Sequence, residues 1–350
     1  TIDYVVAKVP RWPFDKFRTV ETKIGTQMKS TGEVMSIGRT IEESLMKAVC
    51  SLETDRIDLE PEIWDDEELE EELRVPSDKR LYAIAEAVRR EMPVDVIADL
   101  TKWDAFFVHK VKNIVNMERE LAAGPLTPDL IRKAKRMGFQ DESIAKFSKR
   151  TEASISQARR ENGILPTYKM VDTCAAEFAA QTPYFYSTYG TECEVPPSDN
   201  KKVIIVGAGP IRIGQGIEFD YCCVHGVMAC QAAGVDAVVI NNNPETVSTD
   251  YDISDRLYFE PLTLEDVLNV IEKEDADGVI LQFGGQTSVN LAVPLEQALK
   301  GSKCKVLGTS PDMMDMAEDR KRWSALMHRL DIAQPESGTG HSYEEVKAHA

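Results

Sequence analysis

The chain has 350 residues, of which 43% are hydrophobic and 29% are charged, a composition typical of a globular protein of about two or three domains. Its formal net charge of −18 argues against sequence-independent binding to nucleic acid, because an acidic surface repels phosphate. No apolar run approaches the roughly 20 residues that cross a bilayer, and the first residues lack the pattern of a secretory signal. We therefore expect neither a nucleic-acid nor a membrane partner.

The chain has seven cysteines and five histidines, and the cysteine pattern favours a reducing compartment. The cysteines are scattered, odd in number and without a CxxC pair, so neither a disulfide framework nor a zinc site is expected. The histidines show no paired spacing of the kind that holds zinc. We predict a cytoplasmic protein with reduced thiols and no metal ligands in this stretch.

Two short extended pieces, TIDYVVAKV and GEVMSIGR, are the first predicted strands. Thr40 stands three residues before Glu43, ahead of an apolar periodic run, which is the capping-box signature of a helix start. The acidic run over residues 53–72 predicts a solvated linker or an exposed helix face, because like charges resist packing. An acidic docking site is the alternative.

Residues 76–165 have an almost wholly helical pattern, with apolar positions at helical spacing. Thr127-Pro128 predicts a helix start, and Gly138 predicts its end. The short helices that follow carry local Lys and Arg and would also fit a DNA-binding helix-turn-helix, but the acidity of the chain favours a small helical bundle. Residues 168–195 predict an extended connector, and PPSDNKK predicts a domain boundary.

From Lys201 onward, apolar β-branched runs alternate with amphipathic helices. This alternation predicts a parallel sheet with helices on both faces and right-handed crossovers. The predicted strands are KKVIIVG, AVVINNN, GVILQFG and CKVLGT. The expected fold class is therefore an all-α domain followed by an α/β domain.

The first βα turn of this sheet is glycine-rich and reads GAGPIRIGQG, from Gly207 to Gly216. Gly207 and Gly209 fit the GxGxxG pattern, in which backbone amides approach a phosphate. Arg212 holds the sixth position, where close packing over a dinucleotide needs a small residue. The pattern therefore indicates a dinucleotide only weakly, and a sharp, close-packed turn explains the glycines better.

Polar loops follow successive strands at Gly207–Gln215, Asn241–Ser248 and Gly284–Thr287. The carboxyl ends of parallel strands share one edge of a sheet, so these loops should converge there. Their side chains supply hydrogen bonds but no nucleophile paired with a histidine base. This composition favours positioning or conducting a small polar species, and turn chemistry alone at Asn243-Pro244 and Gly284-Gly285 is the alternative.

Several long blocks resemble consecutive parts of the large chain of carbamoyl-phosphate synthetases. They lie in the family's order and are QMKSTGEVMSIGRT, KMVDTCAAEFAAQTPYFYSTY, VGAGPIRIGQGIEFDYCCVHG, INNNPETVSTDYDISDRLYFEPLTLEDVL, QFGGQT and GTSPDMMDMAEDR. The resemblance spans essentially the whole chain and implies an internal fragment of a longer protein. The implied domains are the tail of a first, carboxyphosphate ATP-grasp unit (1–52), a helical oligomerisation domain with its connector (53–198), a Rossmann-like pre-ATP-grasp domain of the carbamoyl-phosphate half (199–318) and a lead-in to a second ATP-grasp unit (319–350).

The resemblance implies a ligase that makes carbamoyl phosphate from bicarbonate, ammonia and ATP for arginine and pyrimidine biosynthesis. ATP and Mg²⁺ or Mn²⁺ would bind in the complete enzyme, to ATP-grasp blocks outside this chain. We expect no catalytic, cofactor-binding or metal residue here and no cofactor bound to this span alone. The implied partners are a glutamine amidotransferase small subunit, the remaining ATP-grasp units, and further copies of the chain through the helical domain.

The family also moves unstable intermediates through an interior passage between its halves. By resemblance, the passage-lining residues of this chain are Met28, Glu33, Gly216, Glu218 and Glu245. Carboxylates and small residues suit a path that must stay open and polar. For Glu218 and Glu245, a salt bridge to Arg212 or a helix cap is the alternative role.

Two other functions remain open at the level of the sequence. One is a non-catalytic scaffold that assembles through its helical domain. The other is a stand-alone nucleotide-binding protein of Rossmann type.

Overall fold

The computed structural model describes residues 3–17, 19–335, 338, 340 and 342–349. The strands are β1 (Val5–Arg11), β2 (Gly32–Gly38), β3 (Thr167–Met170), β4 (Tyr184–Thr188), β5 (Lys202–Val206), β6 (Asp236–Asn241), β7 (Arg256–Phe259), β8 (Gly278–Ile280) and β9 (Lys305–Val306). The first helices are α1 (Ile41–Ser51), α2 (Asp66–Arg74), α3 (Arg80–Arg89), α4 (Val94–Thr101), α5 (Ala105–Ala123), α6 (Pro128–Arg136), α7 (Asp141–Ser148) and α8 (Glu152–Glu161). The later helices are α9 (Glu218–Ala232), α10 (Leu264–Glu274), α11 (Gly285–Asn290), α12 (Ala292–Ala298), α13 (Pro311–Glu318), α14 (Arg320–Arg329) and α15 (Tyr343–His349), with a 3₁₀ turn at Val247–Thr249.

The N-terminal segment is an antiparallel hairpin of β1 and β2, packed on α1. Both predicted strands are confirmed, although β1 begins at Val5, and residues 1 and 2 lie outside the described part. The predicted helix start is confirmed as well, because the Thr40 hydroxyl accepts the Glu43 amide at 3.1 Å. The Glu43 carboxylate accepts the Arg39 amide at 2.6 Å, one residue earlier than a capping box requires.

The helices from α2 to α8 enclose one apolar core, as their periodicity predicts. Residues such as Ile84 and Ile114 lie at its centre, and Met46 and Val49 of α1 pack into the same core. The acidic run has the expected exposed face along α2, which buries only Leu69 and Leu73. The prediction is wrong for the start of the run, where Asp58 and Leu59 are buried and Glu53 is 11% exposed. No described helix is long and apolar enough to cross a membrane.

The seven-stranded sheet has the order β3-β4-β7-β6-β5-β8-β9. All its neighbouring pairs are parallel except β3 with β4, so the predicted parallel sheet is confirmed with an antiparallel edge strand. Alternate residues of β5 face opposite sides, with Ile204 packing toward α10 and α12 and Ile205 toward α9. The sheet is therefore covered on both faces.

Two parts of the sheet differ from the sequence-based prediction. Residues 168–195 were expected to be an extended connector, but β3 and β4 from this region extend the edge of the sheet. The strand β7 was not predicted at all. It has only four residues, and its Arg256 is buried in a pair with Glu274, so it shows neither a long apolar run nor a clear alternation.

A buried ionic cluster joins the helical layer to the sheet layer. Lys135 Nζ lies 3.3 Å from Asp141 and 2.5 Å from Glu265, which belongs to α10. Arg159 Nε lies 3.0 Å from Asp141 Oδ2. Because buried charges are costly unless they are fully paired, this cluster strongly disfavours separation of the two layers.

Candidate functional site

The three polar loops that follow the strands meet at the carboxyl edge of the sheet, as predicted. The Gly209 amide donates to Asn241 Oδ1 at 3.1 Å, joining the first loop to the second. The Gln215 side-chain amide donates to the Gly284 carbonyl at 3.4 Å, joining the first loop to the third. The glycine-rich turn is therefore held between its two neighbours.

A narrow cleft of about 40 Å³ lies between the first two of these loops. A cavity needs roughly 10–15 Å³ to hold one water, whereas pockets for drug-sized ligands have about 300–1,000 Å³. The cleft thus has room for a few atoms but not for a nucleotide. Its lining residues are Ala208, Gly209, Pro210, Ile211, Gln215, Gly216, Ile217, Asp220, Asn241, Asn243, Glu245 and Thr246.

Gly216 lies on the wall of the cleft, and Glu218 lies next to it without lining the cleft. The Glu218 carboxylate accepts the Gly216 amide at 3.2 Å. A Cβ atom on Gly216 would lie 2.5 Å from Glu218 Oε2, the far end of a flexible side chain, and Gly216 does not have a positive φ. The backbone at Gly216 does not require glycine. A larger residue there would occupy the space now held by the end of the Glu218 side chain.

Glu33 and Glu245 are brought together by Lys8. The Lys8 ammonium group lies 2.8 Å from a carboxylate oxygen of each. Its hydrogen bond is the main cause that lowers the pKa of Glu245, and the same contacts raise the pKa of Lys8. Sequence reasoning missed Lys8, whose outward position in the alternating pattern of β1 was its only signal.

The hairpin reaches this edge of the sheet through its backbone. The Met35 amide donates to the Asn242 carbonyl at 2.8 Å. A Cβ on Gly32 would lie 2.4 Å from the Ile211 carbonyl oxygen, so glycine is needed for this close approach. The segment before the helical layer and the sheet after it therefore meet beside the cleft.

Met28 is a predicted passage residue that does not line the cleft, as is also true of Glu33 and Glu218. It is 84% exposed and is not among the residues that line the cleft. Its segment runs along the helical layer instead, where the Ile24 amide donates to the Pro76 carbonyl at 2.7 Å. A passage role for Met28 stays a prediction.

Arg212 has a partner that the sequence did not indicate. Its Nη2 lies 3.3 Å from Glu53 Oε2 and donates to Gln215 Oε1 at 2.6 Å. The salt bridges considered for Arg212 with Glu218 or Glu245 are therefore wrong. Burial raises the pKa of Glu53 to about 7, against the opposing effects of its hydrogen bond from Thr287 and of Arg212.

The described residues include no group of three or more His, Cys, Asp or Glu side chains arranged to hold a metal ion. The chemistry of the edge is that of hydrogen-bonding carboxylates, amides and hydroxyls around a small space. Such an arrangement suits contact with a small polar molecule.

Two family descriptions match the chain. "Carbamoyl-phosphate synthetase large chain, oligomerisation domain" matches residues 33–163, and "Carbamoyl phosphate synthase preATP-grasp domain" matches residues 199–316. Together the two matches cover most of the chain, and the second contains the glycine-rich turn and the cleft.

Curated relatives agree with these matches. Proteins named carbamoyl phosphate synthase large chain are 58% identical in Methanothrix thermoacetophila, 54% in Methanosarcina mazei and 52% in Thermoanaerobacter pseudethanolicus. Each alignment covers 99% of this chain but only 32–33% of the relative.

A solved structure, the biotin carboxylase domain of a single-chain bacterial carboxylase, shares 19% identity over 43% of this chain and 33% of its own, with a TM-score of 0.33, which is too distant to carry an argument. The family descriptions and the curated relatives decide the assignment. The chain belongs to the carbamoyl phosphate synthase large-chain family and spans about a third of the length of the curated relatives it matches.

Proposed function

We propose that this chain is part of a ligase that makes carbamoyl phosphate from bicarbonate, ammonia and ATP. Within that enzyme the span contributes assembly through its helical layer, support through its sheet, and part of the path of an unstable intermediate. The family assignment supports the reaction. The two family matches support an oligomerisation domain over residues 33–163 and a pre-ATP-grasp domain over residues 199–316.

The observation that carries the passage role is the narrow cleft at the carboxyl edge of the sheet. Its volume of about 40 Å³ admits a small intermediate and excludes a nucleotide. Glu245 on its wall and Glu33, joined to it through Lys8, are hydrogen-bond acceptors. They suit a species with N–H or O–H groups, such as carbamic acid, and neither is paired with a base that would make it a nucleophile.

The remaining parts of the reaction belong elsewhere in the complete enzyme. We place the ATP and divalent-metal sites in ATP-grasp units, of which residues 1–52 would end one and residues 319–350 would begin another. ATP supplies the phosphoryl groups when it is bound there. A glutamine amidotransferase subunit would supply the ammonia.

Replacing Gly216 tests the passage directly. In the full-length large chain with its small subunit, Gly216→Leu should fill the mouth of the cleft, because the backbone accepts a side chain and Glu218 can move. Carbamoyl phosphate output should fall about tenfold or more, the effect of raising a barrier by ~1.4 kcal/mol. Bicarbonate-dependent ATP hydrolysis should survive.

Gly124→Leu is the matched control, since a Cβ at Gly124 meets nothing within 4 Å. It should leave both activities unchanged. If Gly216→Leu also leaves the output of carbamoyl phosphate unchanged, the passage role is rejected.

A scaffold role has its own supporting observation on the long helix α5. Phe106 and Phe107 are 51% and 48% exposed and pack edge to face, with ring centroids 5.3 Å apart. Adjacent exposed aromatic rings are typical of protein–protein contacts. Light scattering on the full-length protein should show that Phe106→Ser with Phe107→Ser lowers the oligomer order, and an unchanged mass would exclude this surface.

A further inference from the structure

The side chain of Glu53 enters the glycine-rich turn from outside the sheet domain. Its Oε2 accepts the Thr287 hydroxyl at 2.6 Å and lies 3.3 Å from Arg212 Nη2. Its Oε1 lies 2.3 Å from the position that a Cβ on Gly209 would take. A larger residue at 209 would therefore collide with this carboxylate. It would also be strained by the φ of +67° at this position, which favours glycine.

The position of this carboxylate is unusual for a turn of this kind. A glycine-rich βα turn leaves room beside its backbone for a phosphate. Here a carboxylate of the chain itself fills the space beside Gly209. It is held by the Thr287 and Arg212 side chains, and the Gly209 amide donates to Asn241 instead. Arg212, in the position where the nucleotide pattern has a small residue, supplies the opposite charge. Arg212, which departs from the GxGxxG pattern, is thus the residue whose charge holds the Glu53 carboxylate beside the turn.

Both the backbone conformation and the burial of Glu53 are energetically unfavourable in this position. Its φ of +54° lies in the left-handed region, which is unfavourable for residues other than glycine. The side chain is only 11% exposed, and Oε1 has no hydrogen-bond partner in the described structure. Unfavourable features of this kind persist where the surrounding structure uses them.

We propose that Glu53 is an internal anion that fills the space beside Gly209 and positions the turn that walls the cleft. It is a positioning residue and acts through Arg212. Glu53 follows directly on α1, whose Met46 and Val49 belong to the core of the helical layer. The carboxylate therefore ties that layer to the turn.

The occupancy of the turn stands on the contacts alone, whereas its effect on carbamoyl phosphate output rests on the proposed function. Glu53→Ala removes a group the size of acetate and leaves Arg212 and Thr287 facing an empty space. At pH 8, above the pKa of about 7 to which burial raises Glu53, we expect the output of the full-length large chain with its small subunit to fall about tenfold. Added acetate should restore it, and neutral acetamide, which has nearly the same shape, should not.

Thermal unfolding of the same full-length variant tests, without reference to carbamoyl phosphate output, whether an anion fills the space left by Glu53. Acetate should raise the melting temperature of Glu53→Ala and leave the unmodified protein unchanged. The double variant Glu53→Ala with Arg212→Met should lose this response, because the counter-charge is gone. Glu67→Ala, which removes an exposed carboxylate on α2, should behave like the unmodified protein.

The outcomes separate the two claims. Stabilisation by acetate without recovery of output upholds the internal anion and rejects its role in the passage. Equal effects of acetate and acetamide, or no effect of either, overturn the internal anion. If Glu53→Ala does not fold, Glu53→Gln keeps the shape but loses the charge, and an output and stability equal to those of the unmodified protein would overturn the proposal.

Discussion

Two places in the molecule use the same arrangement, a lysine between two carboxylates that come from different layers. In the buried cluster, Lys135 joins Asp141 to Glu265, and these side chains are 3%, 2% and 8% exposed. At the cleft, Lys8 joins Glu33 to Glu245, and the side chains are 50%, 22% and 67% exposed. The same chemistry serves to fix one interface and leaves the other accessible.

Burial is the physical difference between them. Burial by itself would lower the pKa of Lys135, yet the nearby Glu265, Tyr189 and Asp141 raise it above its ordinary value. These buried charges are not solvated by water, so removing one of them leaves the others without a compensating charge. At the cleft, Lys8 and Glu245 are half or more exposed, so their charges are solvated and the Glu245 carboxylate stays available to a passing molecule.

The largest effect is expected in the buried cluster. Arg159→Met leaves Asp141 and Glu265 with Lys135 alone and should lower the free energy of unfolding by about 3–5 kcal/mol. Arg160→Met changes the neighbouring arginine, whose exposed pair with Glu272 should be worth about 1 kcal/mol or less. Urea unfolding of both variants makes the comparison, and equal losses would contradict the distinction.

The pH dependence should carry the next largest effect. Burial raises the pKa of Asp266, in the same interface, to about 7. Between pH ~4 and ~7 the folded protein then holds a proton that the unfolded chain has released, so this group makes stability fall as pH rises, by at most about 1.4 kcal/mol per pH unit. Above pH ~7 its contribution is constant.

Asp266→Asn should make this slope shallower by up to about 1.4 kcal/mol per pH unit and should leave the contribution of Glu53, whose pKa burial also raises to about 7. The substitution keeps a side-chain oxygen to accept the hydrogen bonds from Gln140 and Thr263. Unfolding free energies of the two proteins measured across that pH range make the test. A slope as steep in the variant as in the unmodified protein would assign it to another group.

The smallest effect is expected at the cleft. Lys8→Met should leave the melting temperature unchanged, because the ions around Lys8 are solvated. It should raise the pKa of Glu245 toward its ordinary value, since the hydrogen bond from Lys8 is what lowers it. An NMR titration of the Glu245 carboxyl checks this, and a pKa that does not move would show that Lys8 and Glu245 are not coupled in solution.

The sequence predicted the parts of the fold that depend on local patterns. Thr40 and the alternation of strands and helices after Lys201 were correct because capping and periodicity are local properties. The meeting of the three loops followed from the geometry of parallel strands. The place of β4 in the sheet was not predictable from local patterns, because β4 pairs with β7, more than 70 positions along the chain (Tyr184 with Leu257). The strand β7 is too short, at four residues, to show a pattern of its own.

Some residues of the candidate site were likewise found from the sequence, and others were missed. Gly216 and Glu245 were identified by resemblance, and the structure places both on the wall of the cleft. Lys8 and Glu53 were missed because their partners lie more than 150 positions away, at Glu245 and Arg212. No pattern within either segment indicates such a contact.

The most direct test of the passage is a size series at the mouth of the cleft. In the full-length enzyme, Gly216→Ala, Gly216→Val and Gly216→Leu should give a ratio of ATP hydrolysed to carbamoyl phosphate formed that increases with side-chain volume. The same substitutions at Gly124 should leave the ratio constant. A ratio at position 216 that stays constant across the series would contradict the central claim that an intermediate passes this wall.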